Sequence, residues 1–329
     1  MPTSSERPIA IYHEHPDWFR PLFATLDRRA VPHVPLHAPS HRYALDSPPP
    51  PYALLFNRMS PSAWLRGHGH TIFYTLQFLQ DLERRGVPVI NGHDAFLLEI
   101  SKARQLSLLD RLGLPYPASR VIHDSKQAPL AAQGLRFPVA VKPNIGGSGA
   151  GVRRFDSPQE LLSAANEPEW GLGLDHTGIV QEFIPADGGF ITRVEVLDGR
   201  FLYAIRVFAA PGRFDLCPAD ICRSVEYADP AVAACPAAAS QPSIRVERYE
   251  PPARIVAQVE RLLAEASIEV GGVEYITDAR DGRSYFYDIN ALSNFVADAP
   301  RVLGFDPFEP LVDFLEKRLD AAVAQRAAG

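Results

Sequence analysis

This sequence of 329 residues has few cysteines, no long apolar run and no excess of positive charge. Its three cysteines are an odd number and do not form the framework of a disulfide-rich protein. No apolar run approaches the ~20 residues that span a bilayer, and the polar residues 1–8 do not have the form of a signal peptide. A net charge of −6 gives no indication of a nucleic-acid partner. We therefore expect a cytoplasmic protein that binds neither membranes nor nucleic acids.

The length of the chain indicates more than one lobe. A content of 46% hydrophobic and 22% charged residues is typical of a globular protein. A chain of 329 residues is longer than those that usually fold around a single hydrophobic core. Alternating strand and helix patterns predict a parallel α/β domain over residues 1–98. For residues 99–329 we predict two α+β lobes, one over residues 99–185 and one over residues 186–329.

Two cationic residues stand where predicted elements begin or end. Arg58 follows a predicted strand, and ligands of open α/β sheets bind at the carboxyl ends of strands. Ser101 predicts the N-cap of a helix that runs to Leu112, which puts Lys102 in the first turn. A cation is electrostatically unfavourable there, so we expect Lys102 to have an anionic partner, although a solvated surface lysine fits the pattern about equally well.

A glycine-rich loop follows the apolar strand that ends at Lys142. Its backbone N–H groups can form an anion-binding nest, and a lysine adds a compact charge suited to phosphate oxygens. The lysine precedes the glycines, unlike a Walker loop, and a short second strand follows instead of a helix, unlike a dinucleotide-binding turn. The pattern predicts a phosphate-covering hairpin, with a plain surface hairpin as the alternative. The loop residues are Gly146, Gly147, Ser148, Gly149 and Gly151.

A carboxylate and an amide lie two residues apart on a predicted strand near the C-terminus. Asp288 and Asn290 therefore point to the same side, and their oxygens suit Mg²⁺. Glu274, on the preceding strand, is the third candidate ligand. A two-residue turn at Asp281-Gly282 would put Glu274 on the other face, so the metal hypothesis predicts an odd-length loop or a β-bulge. The alternative is a strand end that turns into a loop.

The order of these parts resembles the ATP-grasp superfamily, most closely its alpha-L-glutamate ligase and glutathione synthetase branch. The resemblance covers most of the chain, from Asn57-Arg58 to the last predicted helix. The residues that carry it are Lys102, Lys142 with its glycine loop, Gln181, Glu182, Phe183, Ile184, Arg193, Arg206, Glu274, Asp288 and Asn290. It implies an N-terminal parallel α/β lobe (a pre-ATP-grasp domain) plus two α+β lobes that form an ATP-grasp fold.

The resemblance also implies a role for each of these residues. Lys102 and Lys142 contact the phosphates of ATP, and the glycine loop covers them. The stretch from Gln181 to Ile184 holds the adenine, and Asp187 reaches the ribose. Mg²⁺, or Mn²⁺ in its place, binds to Glu274, Asp288 and Asn290, while Arg206 and Arg193 stabilise the anionic transition state.

The chemistry that the resemblance implies is carboxylate–amine ligation. ATP phosphorylates a carboxylate, and an amine then displaces phosphate to form an amide. The substrates are expected to be amino-acid-like, and the enzyme a homodimer. The strand before Arg193 carries Thr192 where related ligases often have Asp, and Asp288 replaces the commoner Glu, as in inositol-phosphate kinases of the superfamily. A small-molecule kinase and a non-catalytic nucleotide-binding protein are therefore the alternatives.

Residues 209–250 form the longest irregular stretch of the predicted structure. A loop of that length in a compact domain is usually functional or disordered. It contains Cys217, Cys222 and Cys235. Their spacing lacks the fourth ligand and the short first interval of structural zinc sites. Plain packing or surface thiols are therefore the favoured interpretation, with a substrate lid and zinc as the less favoured ones.

Overall fold

A computed structural model describes residues 7–147, 149–168, 170–208, 245–296 and 298–328 of the chain. Within these residues three sheets are present, of four, four and five strands. The predicted Ser148, the three cysteines and most of the irregular stretch lie outside the described residues.

The first sheet is parallel and has the strand order β2-β1-β3-β4. Strands β1 and β3 are buried along their whole length, as expected for a parallel sheet with helices on its faces. Its strands are β1 (Ile9–His13), β2 (His33–His37), β3 (Leu54–Arg58) and β4 (Val89–Ile90). The helices of this part are α1 (Arg20–Arg28), α2 (Gly69–Arg84) and α3 (His93–Glu99). This parallel α/β arrangement is the one predicted for the N-terminal part.

The second sheet is antiparallel and has the order β5-β8-β6-β7. It contains the lysine strand and the short strand after the glycine loop, so the predicted strand–loop–strand hairpin is confirmed. Its strands are β5 (Ser119–Ile122), β6 (Val139–Pro143), β7 (Arg153–Phe155) and β8 (Gly178–Glu182). The helices are α4 (Lys102–Arg111), which precedes the sheet, α5 (Ala128–Ala131) and α6 (Pro158–Ala165).

The third sheet has five antiparallel strands in the order β11-β10-β9-β12-β13. Its strands are β9 (Phe190–Leu197), β10 (Arg200–Phe208), β11 (Arg245–Tyr249), β12 (Val270–Thr277) and β13 (Ser284–Asn290). Helix α7 (Ala253–Glu265) packs on it, and α8 (Ala299–Leu303) and α9 (Phe308–Ala328) follow. The predicted hairpin at Asp198-Gly199 is confirmed, because Leu197 pairs with Arg200.

The sequence did not predict strand β11, which falls inside the stretch treated as irregular. Its five residues are charged or only partly buried, so they carry little of the hydrophobic alternation by which strands are recognised. The strand exists because its backbone pairs with the edge of β10. The prediction of an irregular segment over residues 209–250 is therefore wrong for residues 245–249.

One hydrophobic cluster crosses the predicted division at residues 98 and 99. It joins Ile11 and Phe56 of the first sheet to Ile205 of the third sheet and to Leu315 of α9. On the surface beside it, Arg29 forms an ion pair of 2.6 Å with Asp313 of α9. The first and third sheets therefore share a core, and the division into domains stays a prediction.

Among the described helices, none has both the length and the apolar character that a membrane crossing requires.

Candidate active site

Lys102 is fixed at the start of α4 by a capped helix terminus. The Ser101 hydroxyl accepts a hydrogen bond from the Arg104 backbone N–H, as the sequence predicts for an N-cap. The Lys102 ammonium reaches across to β13, where its Nζ lies 2.5 Å from Oδ1 of Asp288. The anionic partner expected for this unfavourably placed lysine is therefore present, and it is one of the candidate metal ligands.

Lys142 lies on the buried strand β6 and is only 9% exposed. Its Nζ lies 5.8 Å from the ring centroid of Tyr287 on β13, and within the described residues it forms no ion pair. Burial, with a further contribution from the neighbouring charge of Lys102, lowers the pKa of Lys142 to about 7 against the opposing effects of Asp288 and Glu274. The cleft between the second and third sheets therefore contains an ammonium group without a counter-ion.

The β12–β13 hairpin contains the predicted irregularity. Glu274 pairs with Asp288 and Tyr275 with Phe286, so Tyr287 is left out of the register. This bulge puts Glu274 level with Asp288, and the prediction of a bulge or an odd-length loop is confirmed. Asn290 donates from Nδ2 to Oδ2 of Asp288 over 3.3 Å. The three candidate metal ligands therefore lie together on one face of the sheet.

Arg193 connects this face to the rest of the third sheet. Its Nε donates to Oε1 of Glu195 at 2.6 Å, its Nη1 to Oε1 of Glu274 at 3.0 Å, and its Nη2 to Oγ of Ser293 at 3.3 Å. The Tyr287 hydroxyl donates to the other oxygen of Glu274 at 2.8 Å. Glu274 is thus held by two partners that fix its orientation.

The pKa values of these groups reflect burial opposed by ion pairing. Burial alone would raise the pKa of Asp288, but the Lys102 ammonium, together with the charges of Lys142 and Arg193, outweighs burial and holds that pKa below its ordinary value. Burial raises the pKa of Glu274, and the guanidinium of Arg193 only partly offsets this effect. The site therefore combines a firmly ionised carboxylate with one that is more easily protonated, a contrast that is common at functional sites.

The glycine loop turns back against its own strand and against the N-terminal part of the chain. Gly151 has a φ of +73°, and a Cβ at this position would lie 2.8 Å from Cγ of Pro143. A Cβ on Gly147 would lie 3.4 Å from Cβ of Ser62, in the turn after β3. At the base of the loop, Asn144 Oδ1 accepts from the Ala103 N–H at 2.9 Å. The loop therefore bridges the two lysines and the turn at Ser62.

The predicted adenine-binding stretch continues from β8. The Gln181 amide donates to the Ser119 hydroxyl at 2.7 Å, and a carboxylate oxygen of Glu182 accepts from the Arg136 N–H at 2.8 Å. Ile184 is buried and Asp187 is exposed. These contacts hold the side chains of Gln181 and Glu182 against β5 and against the segment that leads into β6. For Phe183, the Arg154 guanidinium lies 4.6 Å from the ring centroid.

The structure does not bring Arg206 to the acidic face, the face of the third sheet that carries Glu274, Asp288 and Asn290. Arg206 pairs with Thr192, whereas Arg193 pairs with Ile205, so the two arginines leave the sheet on opposite faces. The Arg206 guanidinium lies 3.9 Å from the ring centroid of Tyr249. Arg206 lies on the same face as its partner Thr192, and Thr192 and Arg193 are neighbours on β9 that point to opposite faces. The expectation that both arginines share one transition-state site therefore fails for Arg206.

Sequence reasoning missed several residues that support the site. Glu195 lies two residues after Arg193 on the same strand, a spacing that could have indicated a shared face. Gly272 pairs with Glu195 across the sheet, and a Cβ there would lie 2.8 Å from Oε2 of Glu195. No local pattern identified Ser293, because it follows the last strand and reaches Arg193 only through the tertiary fold.

Comparison with known proteins shows similarity in sequence and in structure. Residues 100–216 match the RimK-like ATP-grasp domain. The chain is 31% identical over 155 residues to a D-alanine--D-alanine ligase of Haemophilus influenzae, a match that covers 46% of this chain and 50% of that protein. It is 30% identical over 143 residues to a probable alpha-L-glutamate ligase of Pseudomonas paraeruginosa, covering 43% and 46%. The chain thus spans about half the length of the curated relatives that it matches.

Two solved structures extend the similarity to nearly the whole chain. The ATP-grasp ligase PsnB, complexed with a phosphomimetic variant of its minimal precursor, Mg and ADP, has a TM-score of 0.65 at 19% identity. D-alanyl-alanine synthetase A from Vibrio cholerae has a TM-score of 0.67 at 12% identity. In each case 97% of this chain and 99% of the other are covered. Over residues 100–216 the chain is therefore similar to the RimK-like ATP-grasp domain, and the chain as a whole has the fold of the ATP-grasp ligases.

Proposed function

We propose that this protein is an ATP-dependent ligase that joins a carboxylate to an amine and releases ADP and phosphate. The observation that carries the proposal is the convergence of two lysines, the half-buried Lys102 of α4 and the buried Lys142 of β6, on the oxygen donors of the third sheet. Lys102 bonds to Asp288, and Lys142 lies against Tyr287. Since the curated relatives match over only part of their length, the activity is inferred from this geometry together with the fold.

ATP would bind between the second and third sheets. Lys102 and Lys142 would contact its phosphate oxygens, and the loop with Gly146, Gly147, Ser148, Gly149 and Gly151 would cover them. The uncompensated charge of Lys142 supports this assignment, because a buried ammonium is costly without an anion. The backbone from Gln181 to Ile184 would hold the adenine, and Asp187 would reach the ribose.

The oxygen donors of the third sheet fit a magnesium ion. Glu274, Asp288 and Asn290 supply two carboxylates and an amide oxygen on one face, a set that suits Mg²⁺ and also Mn²⁺. Among the described residues there is no group of three or more His, Cys, Asp or Glu side chains arranged for a metal. Mg²⁺ commonly takes most of its other ligands from phosphates and water, and when bound it neutralises charge on the phosphates.

The reaction that we propose needs no nucleophile from the protein. A carboxylate oxygen of the substrate would attack the terminal phosphorus of ATP, and the bond to the ADP oxygen would break. The amine nitrogen would then attack the acyl carbon and expel phosphate, with loss of one proton from nitrogen. Arg193 is held by two carboxylates beside this site and would stabilise the anionic intermediate electrostatically. Positioning of the reactants would supply the rest of the rate enhancement.

The substrate classes named for the relatives support amino-acid-like substrates here. A D-alanine--D-alanine ligase, an alpha-L-glutamate ligase and D-cycloserine synthetase are among the similar proteins. We therefore propose a small amino-acid-like carboxylate and amine. The cytoplasmic location and the homodimer stay predictions.

A screen for coupled ADP and phosphate release tests the proposal. The protein is incubated with MgATP and pooled amino acids and small carboxylates, and positive pools are analysed by mass spectrometry. A ligase releases ADP and phosphate in equal amounts and forms an amide. Equal amounts of ADP and a phosphorylated substrate, without free phosphate, would instead identify the kinase alternative. ATP binding without turnover in any pool would favour the non-catalytic alternative.

Lys142→Met should abolish ADP release. Lys317→Met is the matched control, since the Lys317 side chain is 70% exposed and pairs with Asp198 on the surface. Unchanged ADP release by Lys142→Met would refute the assignment of Lys142.

A further inference from the structure

Arg58 and His13 stand side by side where the order of the first sheet reverses. They are the last residues of β3 and β1 and are paired in the register of these two parallel strands. Since β1 lies between β2 and β3, its carboxyl end is the topological switch point at which ligands of open α/β sheets bind.

Arg58 is buried, with 3% of its surface exposed, and only part of its guanidinium has partners. Its Nη2 donates to the backbone oxygen of Ser293 and to Oδ1 of Asn294. In the described part of the chain, Nε and Nη1 have no hydrogen-bond partner. The guanidinium carbon lies 5.3 Å from the ring centroid of Phe19 and 4.9 Å from that of Phe56.

His13 is also buried and has no partner for either ring nitrogen among the described residues. Its ring centroid lies 5.5 Å from that of Phe19, the ring that Arg58 also contacts. Burial, with a smaller contribution from His37, lowers the pKa of His13 to about 4. The ring is therefore neutral at pH 7 and offers one hydrogen-bond donor and one acceptor.

These four unpaired nitrogen atoms are costly to bury without a ligand. The two carboxylates whose charge acts on Arg58 are those of Glu99 and Glu195. Glu99 accepts from the Ala291 N–H, and Oε1 of Glu195 accepts from Arg193. Oε2 of Glu195 has no hydrogen-bond partner among the described residues, yet neither carboxylate forms an ion pair with Arg58 among them. The site thus contains a desolvated guanidinium with two unbonded nitrogen atoms and, among the described residues, no ion pair to either carboxylate.

We propose that Arg58, with His13 beside it, binds the non-reacting carboxylate of an amino-acid substrate. This inference rests on the proposed ligase function. Arg58 and Arg193 both contact Ser293, and Arg193 contacts Glu274. Two hydrogen-bonded residues, Ser293 and Arg193, would therefore connect a carboxylate on Arg58 to the proposed metal ligand Glu274.

The test compares the amino acid found in the turnover screen with its carboxamide, in the wild type and in Arg58→Gln. The wild type should prefer the acid by about 10- to 100-fold in kcat/KM, as expected for a charge-assisted hydrogen bond. Arg58→Gln should lose most of that preference, and Arg58→Lys should retain part of it. An equal loss for acid and carboxamide would mean that Arg58 only supports the fold, and it would overturn the inference while leaving the ligase function intact.

A binding measurement makes the test independent of turnover. Thermal unfolding is followed with each of the twenty amino acids and with their carboxamides, in the presence of magnesium and a non-hydrolysable ATP analogue. At least one amino acid should raise the Tm of the wild type and of Arg111→Gln, a surface control whose side chain is 61% exposed, but not that of Arg58→Gln. Equal shifts in wild type and Arg58→Gln, or no shift with any amino acid, would overturn the inference.

Discussion

Lys142 is the residue whose charge state depends most directly on the ligand. Its pKa of about 7 lies below the value near 10.4 of a free lysine. The protonated form is therefore disfavoured in the folded protein, and this cost to stability is complete below pH 7. It is relieved as the pH rises from about 7 to 10, because the unfolded state then holds a proton that the folded state does not.

Binding of MgATP should raise the pKa of Lys142, since phosphate oxygens favour the ammonium form. We expect proton uptake on binding between about pH 7 and pH 9, and an affinity that falls as the pH rises through that range. Calorimetry in two buffers of different ionisation enthalpy measures the uptake. Binding without proton uptake would contradict the assignment of Lys142 to the phosphates.

Substitution of Lys142 should separate stability from function. Lys142→Met removes a buried charge that has no counter-ion, so we expect a free energy of unfolding that is unchanged or higher at pH 6, together with the loss of ADP release. Urea unfolding at pH 6 and pH 9 measures the first effect, and the gain should shrink at pH 9. A loss of stability at pH 6 would indicate that Lys142 has a structural partner.

The Lys102–Asp288 ion pair gives a second prediction at this scale. The two side chains are 16% and 22% exposed, and breaking a buried pair leaves an uncompensated charge. Asp288→Asn should cost about 2 kcal/mol, discounted for this exposure from the cost of fully buried pairs, and the double variant Lys102→Met/Asp288→Asn should cost less than the sum of the single variants. Additive costs in urea unfolding would show that the pair does not couple.

Individual elements position these residues, and the β12–β13 bulge does so most clearly. Without it, the register of Tyr275 with Phe286 would continue, and Glu274 would pair with Tyr287 and leave the sheet on the opposite face from Asp288. The side-chain period of a strand made this requirement predictable from sequence. The identity of the bulged residue, Tyr287, was not predictable. The two-residue period of the side chains requires that one residue be left out of the register, but it does not say which one.

Gly272 gives the prediction that belongs to the element scale. It lies on β12 opposite Glu195 and leaves room for that carboxylate. Gly272→Ala should push Glu195 away from Arg193 and lower kcat about tenfold, the loss expected when a hydrogen bond to a charged group is weakened. Gly171→Ala is the control, since a Cβ there meets nothing within 4 Å. Equal activity of the two variants would show that Glu195 does not position Arg193.

At the scale of the whole molecule, the sheets meet through contacts that no local pattern could predict. Strand periodicity and helix caps indicated Ser101, Lys102, Lys142 and the acidic strand. The bond of Arg58 to the backbone of Ser293 joins residues 235 positions apart. The core shared by the first and third sheets and the placement of Arg206 likewise depend on strand order and register, which emerge only when the sheets assemble.

The proposed nucleotide site lies between the second and third sheets, and the third sheet shares a core with the first. Binding of the nucleotide should therefore stabilise the molecule as a unit. With a non-hydrolysable ATP analogue and Mg²⁺ at one hundred times the dissociation constant, we expect about 2.7 kcal/mol of added stability. Thermal unfolding followed by tryptophan fluorescence and by circular dichroism should shift together. A shift seen by one probe alone would show that the ligand contacts a single part of the fold.

The most direct test of the central claim is calorimetric titration of ATP into the wild type and Asp288→Asn, with and without Mg²⁺. The proposed site predicts that the wild type binds ATP much more tightly with Mg²⁺ than without it, and that Asp288→Asn loses most of this dependence. Binding that is equally tight with and without Mg²⁺, or no binding at all, would contradict a metal–nucleotide site between the lysines and the acidic face.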